Sequence, residues 1–207
     1  MTPRRLDLLP IACLGVLIAQ SAAATPVTVS VRTASGTPAE DAVIVFDSLD
    51  ETPVPSRDTV LIDQINKQFV PKVTILRTGT SVKFPNSDQI RHQVYSFSPA
   101  KTFSLKLYAG SPPTEIIFDK PGLVVLGCNI HDKMLAFVAV VDSPYFAKID
   151  ASGSATLNLP RGHYHLRVWH PQLTAAAPTQ SVDIQEAPLS LSLPVDLQGS
   201  DPVAVWH

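Results

Sequence analysis

Short runs of β-branched and aromatic residues recur along the chain and are separated by Gly, Pro, Asn, Asp and Ser. No stretch keeps apolar residues at helical spacing for three turns with caps at both ends. Short apolar runs between turn residues predict an all-β protein, built as a sandwich or barrel. Residues 61–69 have the weakest pattern, and a helical turn is an alternative there. The predicted strands are residues 27–31, 43–46, 73–76, 81–84, 103–107, 116–118, 123–126, 136–140, 156–159 and 165–169.

The first 24 residues are typical of a secretory signal peptide. Arg4 and Arg5 precede an apolar run at residues 8–19, and the segment ends in three alanines at 22–24. The apolar run is shorter than the ~20 residues that a membrane span needs. A charged start, a short apolar middle and a small-residue end match a cleavable signal. We therefore expect cleavage after Ala24 and a periplasmic location, with a retained N-terminal anchor as the alternative.

The composition excludes one class of function and singles out two residues. Sixteen basic and eighteen acidic residues give a net charge of -2, which argues against a nucleic-acid-binding protein. Of the two cysteines and two methionines, cleavage removes Cys13 and Met1. Cys128 and Met134 then remain as the single residues of their types. Because oxidising compartments pair or oxidise free thiols, a lone exported cysteine requires a chemical reason.

A candidate reason is the motif Cys128-x-x-His131-x-x-Met134, together with His92 upstream. Two imidazoles, one thiolate and a weak axial thioether form the ligand set of mononuclear blue copper. The motif therefore predicts one copper ion bound by these four side chains.

The strand before the cysteine supports this arrangement. Val124, Leu126 and Cys128 alternate onto one face of the predicted strand, so we expect the thiolate at the strand's end, pointing inward. A short loop would then bring His131 and Met134 to the same point.

Each candidate ligand also has a structural interpretation. A lone cysteine is most often a small buried hydrophobe, a histidine a satisfied polar group and a methionine a gap filler. Their combination within one short segment of an exported chain favours a metal site. A catalytic Cys–His pair is another alternative, but nothing in the sequence marks an oxyanion hole. Structural zinc usually has four strong ligands and more cysteines, so copper is preferred.

Residues 67–141 resemble the cupredoxins, the superfamily of plastocyanin and amicyanin. The resemblance lies in a Phe-x-Pro motif within residues 67–75 and in a Gly-x-x-Val-x-Phe motif followed by Asn86. The ligand loop is spaced as in the amicyanins. The whole chain is similar to exported cupredoxin-like proteins often labelled methylamine utilization proteins.

This resemblance implies a Greek-key β-sandwich with a type 1 copper site. Its ligands are His92, Cys128 and His131, with Met134 in the axial position. Three neighbouring positions depart from the family pattern. Many members have an asparagine after the first histidine that braces the ligand loop, an aromatic shortly before the cysteine, and a proline beside the second histidine. This chain instead has Gln93, then Leu126 with Gly127, then Ile130 with Asp132.

Residues 29–45 and 146–168 together resemble a carboxypeptidase regulatory-like, transthyretin-type β-sandwich. Exposed loops tolerate insertions, so the cupredoxin domain is expected to lie within a loop of this second sandwich. Three independent pieces are the alternative, but residues 25–50 alone are too short to bury a core. The predicted units are a discontinuous domain of residues 25–50 and 144–197, a copper domain of residues 51–143 and a tail of residues 198–207.

The expected function is an exported carrier of single electrons that is not an enzyme and has no small-molecule substrate. Its partner would be a redox protein, such as a cytochrome c or a periplasmic dehydrogenase, that docks transiently on a monomer. A copper storage or delivery protein and an envelope interaction module with structural copper are the alternatives. His163 and His165 could hold a second metal, although exposed polar positions are the preferred interpretation.

Overall fold

The computed structural model describes residues 24–112, 114–173 and 179–197. Within these ranges the chain forms seventeen β-strands and no helix, so the all-β prediction is confirmed. A helix that could span a membrane is accordingly absent from the same ranges. The predicted signal peptide, apart from Ala24, and the predicted tail lie outside the described residues.

In chain order the strands are β1 (Thr25–Thr33), β2 (Val43–Ser48), β3 (Thr59–Leu61), β4 (Asp63–Ile65), β5 (Gln68–Val70), β6 (Val73–Arg77), β7 (Ser81–Lys83), β8 (Tyr95–Ser98), β9 (Lys101–Ser104), β10 (Ile116–Ile117), β11 (Gly122–Gly127), β12 (Leu135–Val141), β13 (Phe146–Lys148), β14 (Ser154–Leu159), β15 (Gly162–Trp169), β16 (Gln180–Ile184) and β17 (Leu189–Val195).

Two sheets combine the beginning of the chain with its last third. Their strand orders are β14-β1-β17 and β13-β2-β15-β16. Strand β1 lies antiparallel to β14 and parallel to β17. Its side chains alternate, so that Val27, Val29 and Val31 are fully buried while the residues between them are not. The boundaries proposed at residues 50 and 144 stay predictions.

The middle of the chain forms a five-stranded sheet, a three-stranded sheet and a hairpin. The five-stranded sheet has the order β6-β12-β11-β8-β9, and the three-stranded sheet has the order β10-β7-β3. Between them lies an apolar cluster that includes Phe84, Phe118, Leu126 and Val138. This part of the molecule is a β-sandwich.

Strands β4 and β5 pair as a hairpin, which corrects the alternative of a helical turn in residues 61–69. The two residues between the strands, Asn66 and Lys67, have φ values of 54° and 60°. Positive φ at both central residues is the geometry of a tight hairpin turn whose twist matches that of the strands. Asparagine tolerates this conformation well, whereas lysine rarely adopts it, so the local sequence gave only a weak turn signal.

Strand β12 is buried on both faces, and this explains its unbroken run of apolar residues. One set of its side chains, including Phe137 and Val141, packs in the same cluster as strands β1, β2 and β15. The alternate set, including Val138 and Val140, belongs to the cluster inside the sandwich. The five-stranded sheet is therefore a shared layer between two apolar clusters.

Aromatic packing joins this layer to the cluster behind it. The rings of Phe137 on β12 and Trp169 at the end of β15 lie with centroids 5.9 Å apart. Both side chains are buried, with exposures of 3% and 1%. The contact connects β12 to the sheet formed by β13, β2, β15 and β16.

We expect Phe137→Ala to lower the free energy of unfolding by about 3–5 kcal/mol, because truncating a buried Phe loses transfer energy and leaves a cavity. Urea unfolding followed by tryptophan fluorescence measures this change. Phe97→Ala is the matched control, since Phe97 is 77% exposed and should change stability by less than about 0.5 kcal/mol. Equal losses in the two variants would contradict the packing described here.

Candidate metal centre

Three predicted ligands converge in the structure. His92, Cys128 and His131 each contribute one ligand atom, and these atoms lie within 4.8 Å of one another. The Sγ of Cys128 lies 3.8 Å from the Nδ1 of His92. Metal ions in proteins are bound at about 2.3 Å from a thiolate sulfur and about 2.0 Å from an imidazole nitrogen, as zinc sites show. Two such ligand atoms about 120° apart around one ion lie about 3.7 Å from each other. The pair is therefore already at the spacing that a shared ion requires.

Cys128 directly follows β11 and is 3% exposed. As the alternation predicts, Val124, Leu126 and Cys128 belong to the same cluster inside the sandwich, whereas Leu123 packs in the opposite cluster. The sulfur is consequently directed into the sandwich at the end of a strand that is held on both sides.

His92 lies on a short bridge between two segments rather than within a strand. Its backbone N–H donates to the carbonyl of Tyr108 at 3.0 Å, and the N–H of Tyr108 donates back at 2.9 Å. The side chain is fully buried. This double hydrogen bond fixes the position from which the ring reaches the sulfur.

His131 lies in the loop between β11 and β12, and its Nδ1 is buried without a hydrogen-bond partner. An unpaired buried polar atom is unfavourable by about 1–3 kcal/mol, so such an atom calls for an explanation. A metal ion would satisfy it. The ring centroids of His92 and His131 lie 5.1 Å apart, which places the two imidazoles around one point.

The loop that carries His131 closes tightly. The backbone N–H of Met134 donates to the carbonyl of His131 at 2.9 Å. Met134 is 1% exposed and belongs to the same apolar cluster as Cys128. Its side chain is thus buried in the same cluster as that of Cys128, and its role as the axial ligand stays a prediction.

The other nitrogen of His92 is held by Asp88, a residue that belongs to none of the predicted motifs. The Nε2 of His92 lies 2.7 Å from the Oδ2 of Asp88. A carboxylate only accepts hydrogen bonds, so the ring nitrogen is the donor. Asp88 stands four residues before His92, and this spacing was the available signal.

The carboxylate of Asp88 also accepts the backbone N–H groups of Asn66 and Lys67, at 2.7 and 2.8 Å. The N–H of Lys67 is the main cause that lowers the pKa of Asp88, and the hydrogen bond from His92 lowers the same pKa further against the opposing effect of partial burial. Asp88 is therefore held as a carboxylate beside the histidine ring.

Gln93 braces the loop that follows β11. The Nδ2 of Asn129, within the ligand loop, donates to the Oε1 of Gln93 at 2.7 Å. The amide of Gln93 in turn donates to the Oγ of Ser104 at 2.9 Å. The side chain of Gln93 therefore links this loop to Ser104.

A buried polar network supports the segment before His92. Asn86 donates through its amide to the carbonyls of Ile90 and Tyr108, both at 2.9 Å. The hydroxyl of Tyr108 donates to the carbonyl of Phe84 at 2.6 Å. Burial raises the pKa of Tyr108 to about 12 against the opposing effect of the hydrogen bond from Gln64, and the negative charge of Asp63 raises this pKa as well. Tyr108 thus remains a neutral hydrogen-bond donor near the sulfur.

An aromatic ring covers the backbone of Gly127, the residue before Cys128. Gly127 pairs with Tyr95 across strands β11 and β8, and a Cβ on Gly127 would lie 2.7 Å from the tyrosine ring. The aromatic group therefore comes from the neighbouring strand. Its ring also packs on that of Phe97, with centroids 5.1 Å apart.

The second pair of histidines does not form a comparable cluster. His163 is exposed and lies 3.3 Å from a carboxylate oxygen of Asp50 and 3.7 Å from one of Asp183. Across the described part of the chain, a single group of at least three His, Cys, Asp or Glu side chains is close enough to hold an ion, and it excludes His163 and His165.

We expect Gly127→Ala to destabilise the protein by about 1–3 kcal/mol, because the added methyl group overlaps the ring of Tyr95. Chemical denaturation of the metal-free protein measures the loss. In a Tyr95→Ala background the same substitution should be much less destabilising, since the overlapping ring is gone. An equal loss in both backgrounds would show that the ring does not cause the effect.

No protein-family model matches this chain, and no curated protein matches its sequence. Among solved structures, part of the chain is similar to a copper-containing nitrite reductase from Thermus scotoductus SA-01, with 26% identity over 43% of this chain and a TM-score of 0.37. The match spans only 25% of that reductase. A purple cupredoxin from Nitrosopumilus maritimus is 20% identical over 40% of this chain and 98% of its own, with a TM-score of 0.35. The pseudoazurin from Methylobacterium extorquens AM1 is 26% identical over 42% of this chain and 77% of its own, also with a TM-score of 0.35.

Proposed function

We propose that this chain is an exported type 1 copper protein that carries single electrons between redox partners in the periplasm. The observation that carries the proposal is the convergence of the Cys128 sulfur with a ring nitrogen from each of His92 and His131. The buried, unpaired Nδ1 of His131 supports a metal ion as the missing partner.

The chemistry of these donors favours copper. A thiolate with two imidazoles and a weak axial thioether is the ligand set of blue copper sites. Structural zinc sites usually have four nitrogen or sulfur ligands of higher affinity. The described residues bring together only three such ligands, and Met134 is the residue available for a weaker fourth.

The surroundings of the site favour electron transfer over catalysis. A bound copper ion would supply exchange of one electron between the Cu(I) and Cu(II) states. His92 and Cys128 are buried, so the protein leaves little room for a substrate beside them. The strand end that carries Cys128 and the backbone bridge at His92 hold the ligands in place, which would keep rearrangement between oxidation states small.

His131 is the predicted ligand nearest to solvent, because it is only partly buried. In sequence it lies between two exposed apolar residues, Ile130 with an exposure of 50% and Leu135 with one of 36%. Exposed apolar side chains around a partly buried ligand suit transient docking of another redox protein over a small interface. We propose this surface as the place where electrons enter and leave.

The first test is Cu(II) addition to the mature protein. We expect an intense thiolate-to-copper absorption band and a narrow parallel hyperfine splitting in electron paramagnetic resonance. Cys128→Ser should lose both signals, because the hydroxyl cannot supply the thiolate. A variant without Cys128 that retains a blue, redox-active centre would refute the proposal, and a pale signal with wide splitting in the wild type would favour storage or structural copper.

The second test concerns electron exchange. We expect Ile130→Glu to slow the bimolecular reaction with a cytochrome c by about tenfold or more, since variants of one interface change association rates over one to three decades. The visible spectrum should be unchanged. Ile117→Glu is the control, because Ile117 is 53% exposed but lies on β10, in a different sheet. Slow exchange in the wild type itself would instead favour copper storage or delivery.

A further inference from the structure

The turn between β4 and β5 binds the carboxylate of Asp88 through its backbone. The backbone N–H groups of Asn66 and Lys67 point to the same side chain and donate to the two oxygens of Asp88. Both residues have positive φ, and successive N–H groups in such a turn form a concave site for an anion. In this protein the anion is supplied by the chain itself, twenty-one residues after Lys67.

The same carboxylate reaches the buried metal site. Its Oδ2 accepts both the N–H of Lys67, at 2.8 Å, and the Nε2–H of His92, at 2.7 Å. The side chain of Asp88 is 14% exposed, while that of His92 is fully buried. A single side chain, that of Asp88, therefore joins the turn at the surface to the Nε2 of the buried His92 ring.

This contact fixes the state of the ring. Because Nε2 donates to the carboxylate, a neutral His92 ring has its lone pair on Nδ1, and this atom faces the Cys128 sulfur at 3.8 Å. A carboxylate on the outer nitrogen also makes an imidazole a stronger electron donor to a metal. Among the described residues, His131 has no carboxylate partner of this kind, so the two histidines are unequal.

We propose that Asp88 is a positioning residue that orients His92 for metal binding and favours the oxidised state of the bound ion. The inference rests on the proposed copper function. A stronger donor stabilises the more highly charged ion, so Asp88 should increase affinity for Cu(II) more than affinity for Cu(I). The turn at Asn66 and Lys67 serves this role by holding the carboxylate in place from the opposite side.

The test compares Asp88→Asn with Asp63→Asn. The Asp88→Asn substitution removes the negative charge. It also replaces one carboxylate oxygen by an NH2 group, which cannot accept the hydrogen bonds that this side chain receives from three N–H groups. Asp63 is the matched control, because its carboxylate accepts hydrogen bonds from Gln64 and Ser87 in the same region but none from His92. Both variants remove one negative charge near the site, and only one removes the contact with the ligand.

We expect Asp88→Asn to lower Cu(II) affinity about 10–100-fold, the usual effect of losing a partner of a metal-bound histidine. A tenfold loss that spares Cu(I) corresponds to a reduction potential about 59 mV higher. Competition with a copper chelator and protein-film voltammetry measure these two quantities. In the 15N-labelled Cu(I) protein, the Nε2–H resonance of His92 should be visible and protected in the wild type and should shift in the variant.

The outcomes separate this inference from the proposed function. If copper binds with a thiolate band but the Asn variants at positions 88 and 63 have equal potentials and affinities, only the role of Asp88 is refuted. If the wild type shows no thiolate band, the proposed function fails and the inference fails with it.

Should Asp88→Asn not fold, Asp88→Glu carries the test, since its longer side chain keeps the charge but cannot accept hydrogen bonds from the His92 ring and from the turn at the same time. Its Cu(II) affinity should fall by a smaller factor, and an unchanged affinity and potential would overturn the proposal.

Discussion

The burial of strand β12 on both faces is the constraint on which the candidate site depends. One face packs with the sheets that contain β1, β2 and β15, and the other closes the sandwich around Leu126. Strand β11 pairs with β12 along its whole length, so both strands are held at a fixed separation. The loop between them carries Cys128 and His131, and the paired strands hold this loop in place at both of its ends.

The local pattern predicted the parts of the site that depend on neighbouring residues in sequence. Alternation along β11 predicted the sulfur inside the sandwich, and the spacing from Cys128 to His131 allowed one short loop to bring two candidate ligands together. These predictions needed only the period of a strand and the length of a loop.

The parts that were missed depend on contacts between distant segments. Tyr95 covers Gly127 only because β8 and β11 are neighbours in the sheet, and the sequence does not specify that register. Asp88 is four residues from His92, but its second contact is with the turn at Asn66 and Lys67. That turn was itself obscured, because lysine with positive φ contradicts the usual local preference.

Buried hydrogen bonds specify the segment before the first histidine more than apolar packing does. Asn86 ties together the carbonyls of Ile90 and Tyr108, and the hydroxyl of Tyr108 reaches Phe84. A network of this kind is stable only when its members are paired, so it permits few alternative loop conformations. The position of His92 is determined by these polar contacts and by its bridge to Tyr108.

The pairing of β1 has a consequence for how the chain acquires its fold. Thr25 pairs with Leu159 and Val27 with Leu189, so the first described strand meets its partners only after more than a hundred further residues have been synthesised. Contacts between such distant residues are slow to form because a long loop must close first. The strands from β3 to β12 pair only with one another, within residues 59–141, and can assemble earlier. The apolar residues of β1 would stay exposed in the meantime, so this strand needs protection from aggregation during folding.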